Sequence, residues 1–357
     1  MPSFFARKLI QWHLDNPRPL PWSDGSRNPY HIWLSEVIMQ QTRIDQGTAY
    51  YLKFVNTFPD IFSLANASPD HIMKLWQGLG YYTRARNLHA AAQQIVGQHD
   101  GKFPDTYEAL LALPGVGSYS AAAIGSFAFL LPYVVVDGNV KRVIARFAGI
   151  PDSIDNTSTT ELIREIAQGY MKGSSPDVFN QAIMNFGALV CKPSSPLCEL
   201  CPLSKKCFAY QNDMIDVIPV RSKKKATRFR YFHFVVLHYC NKILLQQREG
   251  KEIWEGLYAP PLIETNSKRM PSRPRMNSFL SELIGHNNFS IIGSSEIKQQ
   301  MLSHQTIIGR FHHFSLNTKP VKKFQTALWV TKKTAHEVGK PKLIVGMMDG
   351  AFEITAG

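Results

Sequence analysis

Acidic side chains are scarce in this 357-residue chain: 27 Asp and Glu stand against 40 Lys and Arg, for a formal net charge of +13. That deficit disfavours a cationic partner and suits a polyanion, nucleic acid above all, although a merely basic protein would carry the same balance. Cysteine is scarcer, with five residues, which excludes a disulfide scaffold as the source of stability. Long hydrophobic runs are missing too. The nearest, AAAIGSFAFLLPYVVV over residues 121–136, is interrupted by Pro132 and diluted by Gly and Ser, and it is shorter than the roughly 20 residues of a membrane span. It reads as a buried helix followed by a second buried segment. Met1–Leu14 carries Arg7, Lys8 and His13 in place of the apolar core of a secretory signal. The expectation is a soluble, intracellular protein, cytoplasmic, with reduced thiols and no membrane partner.

What is present divides the chain in two. Residues 1–210 read as helices joined by short loops. In YHIWLSEVIMQQT, apolar side chains at Tyr30, Trp33, Leu34, Val37 and Ile38 form the stripe of a core-facing helix. NVKRVIARFAGI repeats the pattern at Val140, Val143, Ile144 and Phe147. Residues 211–228 read as a basic linker, because RSKKKATRFR, Arg221–Arg230, has six basic residues and no acid. From residue 229 to 357 the text becomes strand-like, as in YFHFVVLHYC and KILLQQRE, and only SFLSELIG looks helical. The fold class expected is multi-domain: an all-α domain over 1–210, then a smaller α+β domain over 229–357.

Four of the five cysteines fall in CKPSSPLCELCPLSKKC, at Cys191, Cys198, Cys201 and Cys207. The spacing C-x6-C-x2-C-x5-C could hold zinc or an iron–sulfur cluster, since four thiolates in one loop suit either. Only one CxxC knuckle is present, where zinc ribbons use two. Upstream, LPGVGSYSAAAI places Gly115, Val116 and Gly117 in a tight connection just before a helix whose backbone N–H groups could meet a phosphate. Asp137, between the buried run VVV and the next helix, reads equally as a helix cap. Glu36 lies off the centre of its apolar stripe, where a glutamate is ordinarily just solvated.

The cysteine spacing and the LPGVG hairpin together resemble the endonuclease III-like DNA glycosylases of the helix–hairpin–helix superfamily. WLSEVIMQQT, LPW at Leu20–Trp22, GLGYYTRARNLHAAA and VDGNVKRV resemble a narrower group within it, the adenine DNA glycosylases of the MutY type. The resemblance implies a [4Fe–4S] cluster on Cys191, Cys198, Cys201 and Cys207, in a loop whose Lys192, Lys205 and Lys206 face DNA. It implies that Glu36 protonates adenine, which needs a raised pKa, and that Asp137 stabilises the cationic sugar. Arg18, Tyr119 and Asn139 would surround the flipped adenosine, while Gln41 and Tyr81 would enter the duplex around the damaged pair. Bifunctional relatives carry a lysine that forms a Schiff base where this chain has Tyr119. Hydrolysis by water is therefore expected, even though Lys141 could reach an abasic aldehyde.

The second domain resembles the Nudix-like domain by which these glycosylases read 8-oxoguanine on the opposite strand. GKEIWEGLYAPPLIE and MLSHQTIIGRFHHF carry the likeness, with Leu302 where phenylalanine is usual. Ser303 and His304 would contact the lesion. The glutamate-rich REXXEE core of Nudix hydrolases is absent, which argues against a nucleotide-pool hydrolase. Retention of Glu36 and Asp137 argues against a cluster protein that only binds DNA, and Glu36 and the extra domain argue against a thymine- or pyrimidine-directed glycosylase. The partner implied is double-stranded DNA with 8-oxoguanine·adenine or guanine·adenine mispairs, bound by a monomer at the nucleoid.

Overall fold

The computed structural model describes residues 1–22, 25–222, 227–250, 253–318, 320 and 326–352. Part of the expected basic linker, Lys223–Ala226, and Lys251 and Glu252 of the GKEIWEG segment lie outside them. The chain forms two compact units, Met1–Asn66 with Asn87–Lys224, and Ala67–Arg86 with Lys225–Gly357. Sequence pattern assigned Ala67–Arg86 to the helical domain, and the structure groups it with the second unit. The reason is tertiary. Gln77 accepts a hydrogen bond from Lys340 N–H at 3.1 Å, Tyr82 Oη donates to the Lys340 carbonyl, and Arg86 pairs with Glu255 at 2.7 Å. Local periodicity carries no trace of such partners.

The helical unit contains α1 (Phe4–Asp15), α2 (Pro29–Met39), α3 (Ile44–Thr57) and α4 (Ile61–Ala65). After α5 (Pro69–Trp76), which belongs to the second unit, come α6 (Thr83–His99), whose first turn also belongs to the second unit, α7 (Tyr107–Leu111), α8 (Ser118–Phe129) and α9 (Gly138–Ala148). The unit ends with α10 (Thr157–Met171), α11 (Pro176–Leu189) and the short α12 (Phe208–Gln211). Helix α2 starts where Asn28 Oδ1 accepts from the Tyr30 and His31 amides and Pro29 takes the first helical position. It buries Ile32, Trp33, Leu34, Val37 and Ile38 and packs against α8, whose buried residues are mostly the small Ala, Ser and Gly, so the two backbones approach closely. Helix α9 is capped by Asp137 and stopped by Gly149, whose φ of 73° suits a residue without a Cβ. Its Val143 and Ile144 join Phe5, Leu9, Ile163 and Phe186 in one core.

The second unit is a mixed sheet with strand order β3-β2-β1-β7-β5. The strands are β1 (Arg228–Tyr239), β2 (Lys242–Gln247), β3 (Tyr258–Ala259), β4 (Leu262–Thr265), β5 (Phe289–Ser294), β6 (Lys298–Met301), β7 (Gln305–Leu316) and β8 (Ala327–Val330). The long β1 and β7 run parallel, from Arg228 opposite Gln305 to His238 opposite Ser315. Both are buried along successive residues, because helices cover the two faces of the sheet. Helix α13 (Arg273–Ile284) packs Met276, Leu280 and Ile284 against Val235, Leu244 and Phe314. A short α14 (Lys332–Ala335) follows, and α15 (Lys342–Ala351) lies against β6 and β7, with Leu343 beside Gly309. This is a separate α+β unit. Among the described residues no helix is long and apolar enough to cross a membrane.

Candidate functional site

Three helices of the first unit deliver the charged centre: α2 carries Glu36, α8 carries Tyr119, and Asp137 caps α9. Glu36 is half-buried, for it opens into a cavity of about 280 Å³ lined also by His13, Trp22, Ile32, Phe127 and Gln181. Its carboxyl is otherwise enclosed by protein. That loss of water pushes its pKa up to about 7, against a hydrogen bond from Tyr119 that favours the charged form, and the nearby charge of Asp137 adds to the rise. Burial holds the Tyr119 pKa well above that of a free phenol, so Tyr119 is a donor at neutral pH. Next to it, Gln40 Nε2 donates to Ser120 Oγ at 3.1 Å and pins α2 to α8.

Asp137 is the helix cap that its position allowed: Oδ1 accepts from the Val140 amide at 2.7 Å. The second oxygen accepts from Asn139 Nδ2 at 2.8 Å. Burial raises the Asp137 pKa, while these hydrogen bonds and the Arg142 cation oppose the rise. The two carboxyls therefore differ in kind. Asp137 has N–H donors from Val140 and Asn139 and the Arg142 cation to stabilise its charge; Glu36 has one phenol and is more fully desolvated. A single negative charge belongs on Asp137 and the proton on Glu36.

Sequence reasoning missed Arg142 and Arg146, each 3% exposed. Arg142 Nη2 donates to Asn139 Oδ1 at 2.9 Å and to the Gly187 carbonyl at 2.7 Å, and Nε donates to the Cys191 carbonyl at 2.7 Å. Arg146 Nη1 reaches the Lys192 carbonyl at 2.6 Å and the Cys191 Sγ at 3.6 Å. Two arginines four apart on α9 thus tie the Asp137 end of the helix to the cysteine loop. The only signal was their i,i+4 spacing, which ordinarily marks a solvated face. Cys191, Cys198, Cys201 and Cys207 line one small cavity with Val190, Leu197 and Ile215. All four are half-buried free thiols. Among the described residues no three His, Cys, Asp or Glu side chains are arranged around a single metal ion.

The hairpin between α7 and α8 exposes Gly115 and Gly117 and buries Val116. Gly115 takes φ 76°, and a Cβ there would meet Asn87 at 2.7 Å. Gly117 caps α8 without a side chain, which leaves the first amides of the helix uncovered by one. Gln41 is exposed, just past α2, in a left-handed conformation with φ 55°. Arg18 is half-buried in the loop after α1 and does not line the Glu36 cavity. Lys141 turns its amine to the Ile154 carbonyl at 2.9 Å and Thr160 Oγ1 at 2.7 Å.

In the second unit, Ser303 and His304 are exposed at the tip of the β6–β7 hairpin, closed by Leu302 N–H to the Gln305 carbonyl at 2.8 Å. Tyr81 shares a hydrogen bond with Ser303. These residues, with Arg86, Glu255 and Leu302, line a cavity of about 480 Å³ within this unit.

Residues 34–168 match the model of the HhH-GPD superfamily of base excision DNA repair proteins. An adenine DNA glycosylase of Buchnera aphidicola (subsp. Schizaphis graminum) is 32% identical over 97% of this chain and 98% of its own. The human adenine DNA glycosylase is 40% identical over 58% of this chain, spanning 39% of its own length. Among solved structures, a thermostable thymine-DNA glycosylase is similar at a TM-score of 0.54 and 30% identity, covering 58% of this chain and 95% of its own. An endonuclease III trapped as a covalent intermediate with DNA shares the fold at a TM-score of 0.51, 21% identical.

Proposed function

This chain belongs to the adenine DNA glycosylase family of the HhH-GPD superfamily of base excision DNA repair proteins, and on that premise we propose that it hydrolyses the N-glycosidic bond of adenine mispaired with 8-oxoguanine or guanine. The observation that carries the reading is the pair of unlike carboxyls. Glu36, with its pKa pushed to about 7, keeps a proton to give to the base as it leaves. Asp137, ionised and anchored by Val140 and Asn139, faces the positive charge that grows on the sugar. The Glu36 cavity would receive the extruded adenine, because the bond cannot be reached in a stacked duplex. Tyr119 would orient Glu36, and Arg18 and Asn139 would bracket the nucleoside.

Water is the nucleophile in this reading. Tyr119 stands where a Schiff-base lysine would be, and the Lys141 amine is engaged by Ile154 and Thr160. The enzyme is accordingly monofunctional, with weak lyase activity at most, and works as a monomer on double-stranded DNA. The four cysteines suit a [4Fe–4S] cluster: a tetrathiolate set around one common, apolar cavity is the donor chemistry such a cluster takes. Cys191, Cys198, Cys201 and Cys207 would hold it, and it would supply structure, fixing the loop that presents Lys192, Lys205 and Lys206 to phosphates. Gly115, Val116 and Gly117 would seat a phosphate at the start of α8. Gln41 and Tyr81 would enter the duplex, and the second unit, Nudix-like without the metal-binding glutamates, would read the opposite base through Ser303 and His304.

Similarity to a thymine-DNA glycosylase gives a second reading, but that likeness covers 58% of the chain, whereas the Buchnera adenine glycosylase matches 97% of it. One assay separates them. Duplexes with a single 8-oxoguanine·adenine, guanine·adenine or guanine·thymine pair are incubated with excess protein. Release of free adenine from the first two is expected; release of thymine alone, or of neither base, would overturn the proposal.

A further inference from the structure

Tyr81 is not where local preference would put it. Gly78 and Gly80 precede it with φ of 106° and 77°, and Tyr81 itself has φ 48°, a left-handed conformation that a Cβ resists. Arg84, in the first turn of α6, presses on it. The guanidinium carbon lies 5.1 Å from the Trp76 ring centroid and 5.6 Å from that of Tyr81. Trp76 Nε1 and Arg84 Nη2 both donate to the Gly80 carbonyl, at 3.0 and 3.3 Å, and the Arg84 amide closes the turn on the Tyr81 carbonyl at 2.9 Å. Burial lowers the Arg84 pKa to about 10, so the cation persists at neutral pH. The Tyr81 side chain remains 45% exposed, shares its hydrogen bond with Ser303, and lines the cavity beside His304.

We propose that Arg84 is a positioning residue for mispair discrimination: its guanidinium, held against both Trp76 and Tyr81, fixes the Tyr81 ring in the orientation it presents to the DNA. The proposal rests on the reading of Tyr81 as a duplex-contacting residue. A planar guanidinium can stack on aromatic faces and still donate to the Gly80 carbonyl; a lysine ammonium keeps the charge but not the plane. The competing role for a cation here is direct contact with a phosphate, which would strengthen binding to any duplex alike.

The full chain carrying Arg84→Met, Arg84→Lys, Tyr81→Ala, or Arg84→Met with Tyr81→Ala is tested on 8-oxoguanine·adenine and guanine·adenine duplexes. The adenosine bears a 2′-fluorine, which resists hydrolysis, so Kd can be measured at fixed salt. Arg84→Met should cut the preference for the 8-oxoguanine duplex by roughly fivefold to tenfold, with Arg84→Lys losing most of the same preference. The double variant should lose no more than Tyr81→Ala alone. Additive losses would overturn the proposal. So would equal weakening on both duplexes with a shallower salt dependence, the mark of a lost phosphate contact. If Tyr81→Ala is harmful and both Arg84 variants are silent, the positioning role alone falls. If Tyr81→Ala itself leaves the preference intact, the reading of Tyr81 falls and takes this proposal with it. Should Arg84→Met fail to fold, Arg84→Lys carries the same comparison.

Discussion

Glu36 shows how one side chain can be made both reactive and costly to the fold. Its burial raises the pKa to about 7, so the protonated form that the proposed role requires is present at neutral pH. Single-turnover adenine release is expected to be flat below about pH 7 and to fall up to tenfold per unit above it. Glu36→Gln keeps the shape and removes the proton, so it should abolish release while duplex binding persists; a near-normal rate would remove Glu36 from the mechanism. The stability effect has the opposite sense. A carboxyl whose folded pKa lies above its unfolded value stabilises the fold below the unfolded pKa of 4.5, and that contribution is lost as pH rises through 7. Glu36→Gln should therefore melt higher than the parent protein at pH 8, a difference that shrinks toward pH 5. Asp137→Asn makes a cleaner test than alanine, because asparagine also caps helices. With the cap to Val140 kept and the charge gone, release should slow about a hundredfold or more at little change in melting temperature. A loss under about tenfold would mean that the cap is the whole role of Asp137.

At the scale of elements, the parallel pair β1–β7 holds four histidines in two contacts, His233 with His312 and His238 with His313, each at 3.0 Å. Ser294 Oγ meets His312 at 2.8 Å, Thr265 meets His233, and Arg275 and Arg310 lie near enough to disfavour a further positive charge. Burial and neighbouring imidazoles depress His312 and His313 to about 4. In the unfolded chain both would titrate near 6.5, so the unfolded state binds more protons between those values. Stability is full above about pH 6.5 and should fall by a few kcal/mol as pH drops toward 4. Hydrogen exchange of the β1 and β7 amides should accelerate over that interval ahead of the α9 amides; equal acceleration in both would argue against the histidines as the cause. The cysteine loop makes a second prediction for an element. Protein purified without oxygen should be brown and carry about four irons per chain, whereas stoichiometric zinc would refute the cluster.

For the whole molecule the surplus of 13 positive charges is an electrostatic statement about the partner. Phosphate contacts release counterions, so affinity for any duplex should fall about tenfold or more between 50 and 200 mM salt. A flat response would mean that the charge serves something other than DNA. The match to an adenine DNA glycosylase over 97% of the chain extends through the second unit, so the salt series is measured on the full chain. The segment Ala67–Arg86 groups with the second unit although it lies between the two stretches of the first unit in sequence.

Much of this was legible in the residues alone. The apolar stripe of α2, the Asp137 cap ahead of NVKRV and the glycine that ends α9 are local features, set by periodicity and backbone sterics within a few residues. The alternation of strands after residue 228 is local in the same sense. Tertiary structure decided the rest. It gave Glu36 its cavity, because the walls come from α1, α2, α8 and α11 and their joining loops. It turned Arg142 and Arg146 from a solvated-looking pair into buried links between Asn139 and the cysteine loop. It set Arg84 against Tyr81 and Trp76, and Tyr81 against Ser303, 222 residues away in sequence. Desolvation and pairing depend on which distant groups come together, and a pattern that repeats every two or 3.6 residues holds no record of them.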